Sequence, residues 1–138
     1  SQLFIDSPNL LNASAWTIAT QPKVSPGVYR MGVEYAQRAV QLVPDSSSYW
    51  NTLGVILYRD RQWRESIQAL ERAIELRPDS PEESYNRYFL AMNYWQLGEP
   101  QQAEAEFLRA DGCLQERQDC EREAGDSTCR QAARDYRR

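Results

Sequence analysis

An all-α fold of stacked helical hairpins is predicted by three observations. Residues 49–78, YWNTLGVILYRDRQWRESIQALERAIELRP, hold two amphipathic runs of helical period that meet at Arg61-Gln62 and close on a proline. The same spacing of small and apolar residues returns in 84–110, SYNRYFLAMNYWQLGEPQQAEAEFLRA. A looser copy precedes both, closed by Pro44.

Ser7-Pro8 marks the first helix start, a capping residue followed by a proline whose missing N–H costs nothing in a first turn. Leu3, Phe4 and Ile5 read as a staple over the exposed end of the stack. Asn12 to Thr20 supplies a helix with Ala15 at its small crossing position, and Tyr29 to Val43 supplies its partner, with Ala39 on the packing side. Between them, TQPKVSPG contains two prolines and a glycine, so this loop is long.

In the middle copy, Gly54 stands where two helices cross closely and a larger side chain would hold the backbones apart. Leu53 and Leu57 share one face, and Ile67, Leu70, Ala73 and Ile74 form the facing stripe, which is core. Pro78 ends that helix because proline cannot continue the hydrogen-bond ladder.

Trp50, Leu53, Gly54, Leu57, Ser66, Leu70, Ala73 and Pro78 fall at the signature places of a repeat of about 34 residues, and this pattern resembles the tetratricopeptide repeat family. Leu90, Ala91, Tyr94, Gly98, Ala103, Phe107 and Ala110 match the same template. Gly54 and Ala91 are equivalent, and the extra residues between the copies fall at Ser80-Pro81-Glu82-Glu83, where a loop tolerates them. Two positions depart: Arg87 replaces the opening Trp, and Arg61 stands at the turn where the next copy has Gly98, implying a left-handed cost or a shifted turn. The first copy's loop exceeds the family's usual one by about five residues, a stretched period that leaves the unit intact. The resemblance implies a right-handed solenoid of three hairpins, at about 7–44, 47–79 and 82–112, within one domain over 1–112.

Residues 113–138 are expected to form a solvating cap helix, at about 113–124, and a charged tail. From Asp111 onward the chain carries seven acids and six arginines and breaks at Gly125-Asp126. Ser127 or Asp126 suits a second N-cap, with Cys129, Ala132, Ala133 and Tyr136 on one helical face.

Composition limits the function. No apolar run approaches a membrane span, and the first residues lack the basic segment of a signal peptide. Three cysteines, all between 113 and 129, form no even disulfide framework, so a reducing, cytoplasmic setting is expected. Their spacings are not those of a zinc site and the chain has no histidine, so neither metal nor cofactor is expected. Without histidine, a phosphate loop or a nucleophile elbow, no enzyme is expected either. The acids pair along helices with arginines, as Arg72 does with Glu75, and read as surface charge. A net charge of −4 and a pI near 4.9 oppose nucleic-acid binding, although Arg59, Arg61 and Arg64 make one local basic cluster.

The resemblance implies that the first helix of each pair lines a concave groove. In this sequence the wall comprises Asn12, Trp16 and Ala19, then Asn51, Val55, Tyr58 and Arg59, then Tyr88, Met92 and Trp95. Aromatic rings, a methionine and amides suit an extended or helical peptide with apolar side chains. Trp16, Tyr58 and Trp95 equally suit packing against a neighbouring helix, so groove and core both stay open. The lysines with which some relatives clamp an acidic C-terminus are missing from these positions. The expected function is therefore a non-catalytic protein-interaction module, an adaptor or the regulatory part of a larger protein. The alternative is self-association, with a homodimer as its product.

Overall fold

The computed structural model describes residues 7–123, and these form six α-helices: α1 (Pro8–Thr20), α2 (Pro26–Leu42), α3 (Ser47–Arg59), α4 (Trp63–Leu76), α5 (Glu83–Gln96) and α6 (Pro100–Glu123). Successive pairs α1/α2, α3/α4 and α5/α6 are antiparallel hairpins, and each packs on the next. Helix α3 also approaches α1 on one side and α5 on the other, whereas the backbones of α2, α4 and α6 stay apart from one another among the described residues. The first helices therefore make a closed inner layer and the second helices a splayed outer one, which is the curvature of a helical solenoid.

Each start and stop has a local cause. Ser7 is extended and Pro8 sits in the first turn of α1; Ser25 and Pro26 repeat the device at α2. The Ser46 side chain accepts the Tyr49 N–H at the start of α3. Helices α2 and α4 end two residues before Pro44 and Pro78.

Arg61 does not shift its turn. It takes the left-handed conformation, φ 63°, and the Gln62 and Arg61 N–H groups donate to Leu57 and Tyr58 carbonyls at 2.9 and 3.0 Å. Gly98, φ 75°, makes the same pair of bonds with Glu99, to Tyr94 and Trp95. Both are Schellman caps, one carried by the residue type that fits and one by a residue that does not.

Small residues set the crossings. Ala15, Ala36, Ala39, Ala73, Ala91 and Ala110 have no exposed surface. A Cβ on Gly54 would lie 2.6 Å from Leu70 Cγ and Cδ2, so the α3/α4 approach requires glycine. Ser66 exploits that closeness: its hydroxyl donates to the Gly54 carbonyl at 2.6 Å and accepts from the Asn93 amide at 2.9 Å. One buried polar chain thus ties α3, α4 and α5 together.

One boundary falls elsewhere than expected. No turn separates residue 112 from 113; α6 runs unbroken for 24 residues, so 113–123 continue the third hairpin and do not form a separate cap helix. The cause lies at Glu83, which is not a loop carboxylate. It begins α5 at 3% exposure and accepts from the Asp79 N–H at 2.7 Å, Arg87 Nε at 2.9 Å and the Cys113 thiol at 2.9 Å. Arg117 then donates to the Ser80 carbonyl at 2.7 Å. Cys113 and Arg117, one turn apart on α6, therefore grip the start of α5 and hold the helix past the expected boundary.

Arg87 fills the place of the family's Trp with charge. It bridges Glu83 and Glu106, the latter at 3.1 Å, and Arg109 reaches Glu106 from the solvent side at 2.6 Å. These buried acids are structural partners, in contrast to the exposed Arg72 and Glu75 pair. Among the described residues no helix is long and apolar enough to cross a membrane. The expected staple and the Cys129 to Tyr136 face lie outside the described residues.

Candidate functional site

The inner layer carries most of the wall residues, but its centre is filled. Val55, on the middle helix α3, is 1% exposed and presents no surface to a ligand, because α1 and α5 flank it on both sides. Trp16 of α1 meets Tyr85 of α5 with centroids 6.4 Å apart. From Tyr85 the rings continue to Phe89 at 5.0 Å, Tyr58 at 5.4 Å and Trp63 at 5.2 Å. These five rings form a ladder over the inner face, with geometries tilted or edge-on as the ring quadrupole prefers. Tyr85, Phe89 and Trp63 were not read as wall residues; nothing local in their sequence says that they join Trp16 and Tyr58.

The amides and the arginine of the wall are partly committed within the fold. Asn51 donates its amide to buried Asn86, and Asn12 Oδ1 is buried without a hydrogen-bond partner among the described residues. Arg59 Nε donates to the Ala19 carbonyl at 3.0 Å, tying α3 to the end of α1. Ala19 itself is fully buried. Tyr88 turns toward α6, where its hydroxyl donates to Asp111 at 2.5 Å and its ring meets Phe107 at 5.9 Å.

Trp16 and Tyr85 keep their outer edges in solvent, and a concave opening lies at the other end of the wall. Tyr58, Met92, Trp95, Gln96 and Phe107 line a cleft of about 350 Å³ between α3, α5 and α6. Trp95 is 66% exposed and Phe107 42%. The structure thus brings Tyr58, Met92 and Trp95 together and adds Phe107, which the sequence reading had placed only in the repeat template.

A second cleft of about 700 Å³ opens beside it, lined by Val24, Pro26, Tyr29, Arg30, Tyr58, Arg59, Asp60, Arg61 and Trp63. Tyr58 lines both. Burial raises the Tyr85 hydroxyl above its ordinary pKa, and the positive charge of Arg59 opposes that rise.

Residues 45–110, which span α3, α4, α5 and the first half of α6, match the family described as Tetratricopeptide repeat. This stretch belongs to the tetratricopeptide repeat family. The hairpin α1/α2 precedes it and stacks on it as α3/α4 does on α5/α6. In a tetratricopeptide repeat such a stack is a scaffold for contacts between proteins.

Solved structures of MamA share the fold. A point mutant of MamA is 22% identical with a TM-score of 0.66, over 78% of this chain and 73% of that one. MamA AMB-1 is 21% identical with a TM-score of 0.68, over 80% and 60%. MamA from Desulfovibrio magneticus RS-1 is 17% identical with a TM-score of 0.61, over 83% and 62%. At these identities the likeness is one of fold, and the chain spans between three-fifths and three-quarters of their lengths. No curated protein matches the chain in sequence.

Proposed function

We propose that this chain is a non-catalytic interaction module that grips an apolar side chain of an extended or helical partner peptide in the cleft between α3, α5 and α6. The observation that carries the reading is Trp95. It is the most exposed large hydrophobic side chain among the described residues, and it stands over a cleft walled by Tyr58, Met92 and Phe107. A ring left in water beside a concave apolar surface loses favourable burial that a partner's side chain would restore. This reading narrows the expected concave groove to the end of the wall, where Val55 no longer closes it and a cleft is present.

The test is selection of binders from a displayed peptide library. Peptides that bind the wild type and lose affinity for Trp95→Ala and Met92→Ala, both folded by circular dichroism, support the reading. Peptides indifferent to both substitutions contradict it.

A second reading has its own observation. Phe107, Leu108 and Leu114 expose apolar surface along α6, which suits a helix paired with a second copy. Sedimentation equilibrium decides: mass that doubles with concentration, and reverts in Leu108→Glu, favours a homodimer. A reducing, cytoplasmic setting is proposed with either reading, because the Cys113 thiol donates to Glu83 and oxidation removes that proton. Mild peroxide is then expected to lower the melting temperature of the wild type and not of Cys113→Ser.

A further inference from the structure

We propose that the second cleft reads acidic side chains, so that the partner peptide carries carboxylates next to the apolar residue held by Trp95. The proposal rests on the interaction reading above and names the chemistry of its ligand.

The cleft gathers Arg30 from α2, Arg59 from the end of α3 and Arg61 from the turn, against one carboxylate, Asp60. Asp60 is itself engaged, accepting from the Gln62 amide at 2.6 Å. Among the described residues none of the three arginines is paired with an acid, whereas Arg64, Arg72, Arg87, Arg109 and Arg122 all are. Three guanidinium groups against one carboxylate leave an excess of positive charge in this concavity, in a chain whose net charge is −4. Guanidinium groups pair with carboxylates through two parallel hydrogen bonds, which gives direction as well as attraction.

Aromatic surface interleaves with the charge. Tyr29, Tyr58 and Trp63 line the same cleft, and the long loop between α1 and α2 adds Val24, with Pro26 from the first turn of α2. That loop is what the first hairpin has in excess of an ordinary repeat. A space of about 700 Å³ accommodates several side chains of an extended segment. Because Tyr58 lines both clefts, a peptide leaving the apolar one passes directly over the arginines. Arg59 belongs to the inner wall, where the lysines of the clamp are lacking, whereas Arg30 on α2 and Arg61 in the α3/α4 turn lie outside it.

Arg61 makes the test clean. It holds a left-handed φ that glycine adopts freely, as Gly98 does in the equivalent turn. Arg61→Gly therefore removes a cleft charge without weakening the turn.

The experiment is fluorescence anisotropy of a labelled hexapeptide, Leu-Phe-Asp-Glu-Glu-Asp, beside the same peptide with Asn and Gln for its acids. The expected result at low salt is about tenfold tighter binding of the acidic peptide, an advantage that shrinks at high salt. Arg61→Gly and Arg30→Gln should each weaken it several-fold while the melting temperature of Arg61→Gly does not fall. Equal affinity for the two peptides, or no binding of the acidic one at millimolar concentration, overturns the proposal. Where both bind equally and Trp95→Ala abolishes binding, the apolar cleft stands without the acidic one. Where Arg61→Gly weakens binding and Trp95→Ala does not, the arginine cleft stands and the apolar reading fails.

Discussion

The ring of Trp16 meets the ring of Tyr85 at 6.4 Å although α1 and α5, which carry them, have no backbone contact. Two long side chains thus bridge the inner layer over α3 and join the first hairpin to the third. A double-mutant cycle with Trp16→Ala and Tyr85→Ala, followed by urea denaturation, should give a coupling energy of about 0.5–1.5 kcal/mol. Additive effects would mean that the rings are neighbours without interacting.

Gly54 is predicted to be the least tolerant position of the α3/α4 crossing. Leu70 meets any added Cβ at 2.6 Å, and neither Leu70, with no exposed surface, nor the helix backbone has room to yield. Gly54→Ala should cost about 1–3 kcal/mol in urea denaturation. Gly112→Ala, with nothing within 4 Å of its Cβ, should instead stabilise by up to about 1 kcal/mol through helix propensity.

Acid should act through Glu83. Burial alone would raise its pKa, but the thiol of Cys113, the Arg87 guanidinium and the Asp79 N–H outweigh it and hold the carboxyl below its usual 4.5. A folded value below the unfolded one means that the bound carboxylate stabilises the fold above the unfolded pKa, and that this contribution is lost as pH falls through the folded value. Melting temperatures measured downward from pH 7 should therefore fall below about pH 4.5, with a shallower fall in Glu83→Gln. At pH 7 that substitution should destabilise by about 1–3 kcal/mol, by leaving Arg87 with Glu106 alone.

The solenoid was legible because each crossing needs a small residue and each stop a breaker, and both are written locally. Gly54, Ala91, Pro44 and Pro78 stand where the geometry places them. The continuation of α6 was not legible, since Cys113 and Arg117 are held by Glu83 and Ser80, partners 30 and 37 residues away in sequence. A shift in composition at Asp111 resembled a boundary, while the helical register of Ala110, Cys113 and Arg117 ran on across it.

The site was half legible for the same reason. Periodicity puts Trp16, Val55, Tyr58, Met92 and Trp95 on one layer, but whether a wall position is open depends on side chains reaching from other helices. Val55 is closed over on the middle helix, and Trp95 on the last stays open. Phe107 gave a signal only as a template residue, because its exposure follows from α6 having no further hairpin packed on it among the described residues.

The central claim is that Trp95 and its cleft receive the partner, and the most direct measurement is the ¹⁹F spectrum of fluorotryptophan-labelled protein titrated with a selected peptide. The four tryptophan signals are assigned by single substitution. The prediction is that the Trp95 signal moves with the binding isotherm, while Trp50, whose indole N–H donates to the Pro44 carbonyl at 2.7 Å, stays in place. A titration that saturates with Trp95 unmoved would contradict the account and place the reading surface elsewhere on the solenoid.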